Sequence, residues 1–149
     1  MPDYHVALSW ARTTPDFSYD TYSRSHELRT GSGVNIPASS APEFLGATDR
    51  VNPEEGLIGA LSSCHMLTFL AVAARKKFVV DRYEDDAVGT LAKNAEGRLA
   101  ITHITLRPKV VFSGQAPSAE ELQKIHEAAH RGCFIAASIR SEVAIEPRS

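Results

Sequence analysis

The sequence predicts an α+β domain, and three observations carry that prediction. Asn52-Pro53-Glu54-Glu55 opens a long apolar helix, two stretches of alternating residues follow it, and Ser118-Ala119-Glu120-Glu121 opens a second helix. Before the first helix, residues 4–12 place Val6, Leu8 and Trp10 two apart, the period of a strand. A turn around residues 13–16 precedes a second extended stretch near 18–28. Gly31-Ser32-Gly33 turns the chain into a short strand at 34–37, and residues 38–51, mixing Ser, Pro, Gly and Asp, read as a loop.

The long helix has the clearest signature. Asparagine is a good N-cap, proline suits the first helical position because its missing N–H would be unpaired there, and acids offset the positive end. Leu57, Leu61, Cys64, Thr68 and Ala71 recur at spacings of three and four. The helix is expected to run from Pro53 to about Lys76, where Arg75-Lys76-Lys77 suits its negative end. Its middle is apolar nearly all round, which predicts a central buried helix. Residues 78–92 and 98–113 read as two long strands joined by a turn at 94–97. The second helix opens on a capping box and carries Leu122, Ile125 and Ala129 toward Cys133. Residues 134–139 continue as helix or irregular turn, and 142–145 form a last strand. With 149 residues, no repeat and no linker, residues 1–149 are expected to form one domain.

Composition excludes several classes. A net charge of −2 without a basic stripe argues against nucleic-acid binding. No run of about 18 uninterrupted apolar residues argues for a membrane span. The first residues lack a basic region followed by an apolar run, so no secretory signal is expected and the cytoplasm is the expected location. In a reducing compartment two cysteines serve as core filler, metal ligands or redox groups.

Cys64 stands mid-helix in Ser62-Ser63-Cys64-His65-Met66. A cysteine there is commonly a small hydrophobe, and a thiolate would need a cation from elsewhere in the fold. Cys133, in His130-Arg131-Gly132-Cys133-Phe134, has cationic neighbours. A disulfide between the two requires Cα atoms within about 7 Å. His126-Glu127-Ala128-Ala129-His130 fits H-E-x-x-H, in which the histidines would hold zinc, Glu127 would be the base and Cys133 a third ligand. A half-exposed histidine edge on an amphipathic helix explains the same residues. His5, His26, His65 and His103 are scattered singly and read as structural or surface groups, and Glu54 and Glu55 suit a helix N-terminus.

At Asn52-Pro53-Glu54-Glu55 with Ala60-Leu61-Ser62-Ser63-Cys64-His65-Met66, and again at Ala129-His130-Arg131-Gly132-Cys133, the chain resembles the OsmC/Ohr family of osmotically inducible and organic hydroperoxide resistance proteins. The resemblance extends to the order of elements over nearly the whole chain. It implies antiparallel sheets around a long central helix, two chains intertwined as a homodimer, and active sites at their interface. It implies that Cys64 is the peroxidatic cysteine, Cys133 the resolving cysteine, and Glu54 the partner of an activating arginine. Arg24, in Tyr22-Ser23-Arg24-Ser25-His26, is the arginine chosen by position, with Arg50 and Arg12 next.

The implied activity is reduction of organic hydroperoxides through a Cys64 sulfenic acid and a Cys64–Cys133 disulfide. A dithiol, either a lipoylated protein or a thioredoxin-like donor, would restore the thiols, and no metal, flavin or haem cofactor is implied. Leu61, Met66, Leu67 and Phe134 would give Cys64 an apolar lining suited to bulky substrates. Ten helical residues separate Glu54 from Cys64 by about 15 Å. Their joint use therefore predicts contact across an obligate dimer, or a bridging arginine with a broken first turn. The alternatives are a small-molecule or lipid binder of the same fold and, further off, a zinc-dependent hydrolase.

Overall fold

In the computed structural model, which describes residues 1–149, the chain divides into a first unit, Met1–Gly56, and a second, Leu57–Ser149. The first unit holds an antiparallel sheet of β1 (Val6–Ser9), β2 (His26–Thr30) and β3 (Asn35–Ala38), in that order. Gly33, at φ 88°, makes the β2–β3 turn in the left-handed region that side chains disfavour. The second strand starts later than its sequence suggests. Asp16 instead folds the preceding residues into turns by accepting from the hydroxyls of Thr21 at 2.7 Å and Ser18 at 3.2 Å. Gly46 lies so close to the Ser40 carbonyl that no Cβ fits, which fixes a glycine in the loop before the long helix.

That helix, α1 (Pro53–Arg75), begins as predicted and ends one residue earlier than expected. Its cap is reciprocal: the Glu55 N–H donates to Asn52 Oδ1 at 2.8 Å, and the Asn52 N–H donates to Glu55 Oε2 at 3.3 Å. The expectation of a central buried helix needs correction. Only Leu61, His65, Phe69 and Ala73 are buried, one line four residues apart, and Leu67 is 61% exposed. By length and composition α1 could cross a membrane; in this fold its buried line builds the core of the second unit.

The second unit adds β4 (Val79–Asp85), β5 (Val88–Lys93), β6 (Leu99–Leu106), β7 (Pro108–Ser113), α2 (Ala119–Gly132), α3 (Phe134–Ser138) and β8 (Glu142–Ile145). Each predicted long strand is two strands that enter different sheets. β4 pairs antiparallel with β7, β5 pairs antiparallel with β6, and β8 joins β6 in parallel. One break falls at Arg107, just before Pro108, which has no N–H to continue a ladder. Asp85 secures the crossing by accepting from the Arg107 N–H at 2.6 Å and from the Ser62 hydroxyl of α1 at 2.5 Å. Two apolar clusters result, Leu61, Ile104, Leu106 and Cys133 in one, and Phe69, Ala73, Ile125 and Ala129 in the other. α2 has the predicted capping box between Ser118 and Glu121.

Candidate active site

Cys133 sits at the joint between α2 and α3, extended at φ −78°, and so caps both helices. It is 1% exposed in the first core cluster, and half-buried Cys64 packs against that cluster from α1. Both thiols are free. The helix break at Cys133 turns the first amides of α3 toward Cys64. Burial pushes the Cys64 thiol up, but the Ile135 N–H, the Cys133 thiol and the Phe134 N–H together outweigh it, and the net shift is downward. Cys133 moves the other way. Burial raises it first, its hydrogen bond to Cys64 raises it further, and the Ala136 N–H, donating to its Sγ at 3.4 Å, only partly compensates. Cys64 is thus the better thiolate and Cys133 the retained thiol. From sequence, Cys64 had no visible support, because the donors are backbone amides some 70 positions away whose sole trace is the interrupted helix after Gly132.

Glu54 and Arg24 lie in the first unit. Glu55 closes the reciprocal cap with Asn52, whereas Glu54 Oε2 is buried with no hydrogen-bond partner. Arg24 donates to the Tyr22 and Tyr19 carbonyls, each at 2.6 Å, and its guanidinium lies 3.7 Å over the Tyr22 ring. With Leu8, Trp10, Phe17 and Pro53 it lines an apolar cavity of about 380 Å³. Arg50 already pairs with Glu27 at 3.0 Å, and Arg12 binds the Thr14 and Pro15 carbonyls. Arg24 is the one of the three named arginines that is half-buried, free of a carboxylate and part of a cavity wall. The first turn of α1 is intact.

The H-E-x-x-H residues do not form one exposed edge. His126 is 3% exposed and lies edge to edge with His65, with ring centroids 5.4 Å apart, planes 6° apart and Nε2 of His65 3.1 Å from Nδ1 of His126. Glu127 faces outward and accepts from the Gln123 amide at 3.0 Å. No three His, Cys, Asp or Glu side chains gather as a metal site would require. His65, which the sequence left isolated, is therefore half of a buried pair. Nothing in the spacing of residues 65 and 126 could reveal it.

Burial lowers both imidazoles to about 4, with the neighbouring His130 adding to the effect on His65, His65 adding to it on His126, and Asp85 opposing it on both. The native chain then refuses protons that the unfolded chain accepts near 6.5. The stability from keeping the pair neutral is complete above that value and is lost as pH falls toward about 4. Each histidine contributes up to about 1.4 kcal/mol per pH unit within that window. Urea unfolding should show a lower midpoint at pH 5 than at pH 7, and replacing His65 and His126 with Gln and Asn should flatten the difference. An unchanged pH slope in that variant would remove the pair as its source.

Comparison with known proteins bears on the whole chain. The OsmC-like protein family model matches residues 46–148, which include both cysteines and Glu54. No curated protein matches. Among solved structures the chain is similar to an OsmC-like protein of unknown function from Vibrio cholerae O1 biovar eltor str. N16961, at 41% identity and a TM-score of 0.96, covering 99% of this chain and 100% of that one. It is also similar to an organic hydroperoxide resistance protein from Elizabethkingia anophelis, at 15% identity and TM-score 0.73 over 99% and 94% of the two chains. The organic hydroperoxide resistance protein OhrB of Bacillus subtilis matches at 19% identity and TM-score 0.71 over 98% of each. The last two likenesses show the fold alone. The α+β architecture, the family match across both cysteines and the Vibrio relative together make this chain a member of the OsmC-like family.

Proposed function

We propose that the chain is a cytoplasmic thiol-dependent peroxidase that reduces organic hydroperoxides to alcohols and works as a homodimer. The observation that carries this reading is the meeting of Cys64 and Cys133 with opposite thiol shifts, one favouring the attacking thiolate and the other a waiting thiol. The Cys64 thiolate attacks the distal oxygen, the O–O bond breaks, and the alkoxide takes a proton and leaves as alcohol. Cys64 is then a sulfenic acid. Cys133 gives up its proton and attacks the Cys64 sulfur; the S–S bond forms as the S–O bond breaks, and hydroxide leaves with a proton as water. A lipoylated protein or thioredoxin-like dithiol restores both thiols by exchange. These steps use no metal, flavin or haem.

Arg24 and Glu54 complete the site in this reading, acting on the Cys64 of a second copy. The unpartnered Glu54 oxygen supports it, since a buried carboxylate oxygen needs a donor and a guanidinium supplies two in a plane. The exposed apolar side chains Leu67 and Phe134, 61% and 83% accessible, support a second copy covering this side of the chain. The organic hydroperoxide resistance proteins that share the fold support the substrate class.

The test is steady-state consumption of cumene hydroperoxide and of hydrogen peroxide, with dihydrolipoamide as reductant. The expected result is a several-fold higher kcat/KM for cumene hydroperoxide. Equal or faster turnover of hydrogen peroxide would remove the preference for an organic substrate. The apolar cavity beside Arg24 favours one second reading, a binder of small apolar molecules. That reading predicts no turnover and thiols that label freely.

A further inference from the structure

We propose that His65 and His126 are positioning residues for the resolving half-reaction, a paired tie between α1 and α2 that keeps Cys133 within reach of the Cys64 sulfenic acid. This rests on the two-cysteine reading above. Cys64 is carried by α1, next to His65, and Cys133 ends α2, seven residues or about two turns after His126. Residues seven apart share a helix face, so the hold on His126 is a hold on the side of α2 that presents Cys133.

Apart from the thiol contact of Cys64 with Cys133 itself, the His65–His126 contact is the only side-chain hydrogen bond between these two helices. Elsewhere they meet through van der Waals contact, as at Gly132, where an added Cβ would come within 3.0 Å of Thr68 Cγ2. The outer nitrogens, His65 Nδ1 and His126 Nε2, are buried with no other partner, so no second hydrogen bond fixes either ring. Phe69 packs on the His126 ring at 4.5 Å and on Tyr83 at 5.4 Å. The titratable groups acting on the pair are Asp85 from β4 and His130 from α2, with Tyr83 of β4 behind Phe69.

A neutral pair shares one N–H between two ring nitrogens. When both rings carry protons, N–H faces N–H and the tie opens. With the tie open, Cys133 reaches Cys64 less often, and the sulfenic acid survives to meet a second hydroperoxide. That peroxide transfers its distal oxygen to the sulfur, its O–O bond breaks, the alcohol leaves, and Cys64 becomes a sulfinic acid. The tie thus sets the partition between a reversible disulfide and irreversible oxidation.

The experiment reacts reduced protein with excess cumene hydroperoxide and measures the ratio of Cys64–Cys133 disulfide to Cys64 sulfinic acid by mass spectrometry, between about pH 7.5 and pH 3, a range that spans the value of about 4 to which both imidazoles are lowered. Three proteins are compared: the native chain, His126→Ala, and the double variant His65→Gln/His126→Asn. In the double variant, amides occupy the two bonding positions but do not titrate. In the native chain the ratio should fall several-fold toward acid. His126→Ala should oxidise Cys64 at the native rate near neutral pH yet give a several-fold lower ratio. The double variant should restore the neutral ratio and hold it flat with pH.

A native ratio in His126→Ala, or a native pH profile in the double variant, overturns the proposal. Should His126→Ala fail to fold by circular dichroism, the double variant decides alone. Absence of any Cys64 oxidation in the native chain removes the two-cysteine reading and this one with it. Normal Cys64 oxidation with an unmoved ratio removes this one only.

Discussion

Cys64→Ser should abolish hydroperoxide turnover, whereas Cys133→Ser should complete one oxidation per chain and then stall. The two cysteines look alike in sequence, but their surroundings differ in sign. Cys64 gains from the Ile135 and Phe134 amides and the Cys133 thiol, which favour its anion over the cost of burial. Cys133 is fully buried, and both its burial and its bond to Cys64 hold the proton on. A serine at 64 cannot supply an ionised nucleophile near neutral pH, so turnover falls to background. A serine at 133 retains an acceptor for the Ala136 N–H and should preserve the fold. It cannot condense with a sulfenic acid, so Cys64 should collect as sulfenic and then sulfinic acid. An inactive Cys133→Ser beside a Cys64→Ser that completes one oxidation would reverse the assignment.

Arg24→Ala should lower kcat/KM by about a hundredfold, the scale seen when one preorganised electrostatic donor is lost from an active site. Its expected action on a second copy makes a sharper prediction. Alone, Cys64→Ser should be inactive and Arg24→Ala should keep only about a hundredth of native activity, yet mixing the two and allowing subunits to exchange should raise turnover well above either parent. In a mixed dimer one site would combine an intact Cys64 with an intact Arg24 from the other copy. Arg24→Lys should rescue poorly, because an ammonium cannot offer a planar pair of donors to Glu54. Mixtures as inactive as their parents, with exchange verified by mass, would place Arg24 and Cys64 of one chain in the same site.

Much of the fold was legible because its signals are local. Asn52 and Pro53 announce the start of α1, Ser118 and Glu121 close a capping box, and the last strand occupies residues 142–145 as predicted. What escaped depends on partners far along the chain. The strand breaks after Asp85 and at Arg107 arise because the segments on either side enter different sheets, and alternation alone carries no record of that exchange. The nearly apolar circumference of the middle of α1 suggested a buried helix, but only the line through Leu61, His65, Phe69 and Ala73 is covered. Similarly, Cys64 and Cys133 could be named as candidates, while the α3 amides that distinguish them appear only once residues 133–135 turn back toward α1. The H-E-x-x-H pattern was misleading for the same reason. Its first histidine answers to His65, a residue outside the motif.

The central claim is that Cys64 and Cys133 form a working redox pair. The most direct measurement is to add one equivalent of cumene hydroperoxide to the reduced protein and map its thiols by mass spectrometry after a few seconds. A Cys64–Cys133 disulfide that forms in that time and is absent from Cys64→Ser is the predicted result. Two free thiols after minutes of exposure would contradict it, and would mean that this member keeps the fold and the buried cysteine contact without the peroxidase chemistry.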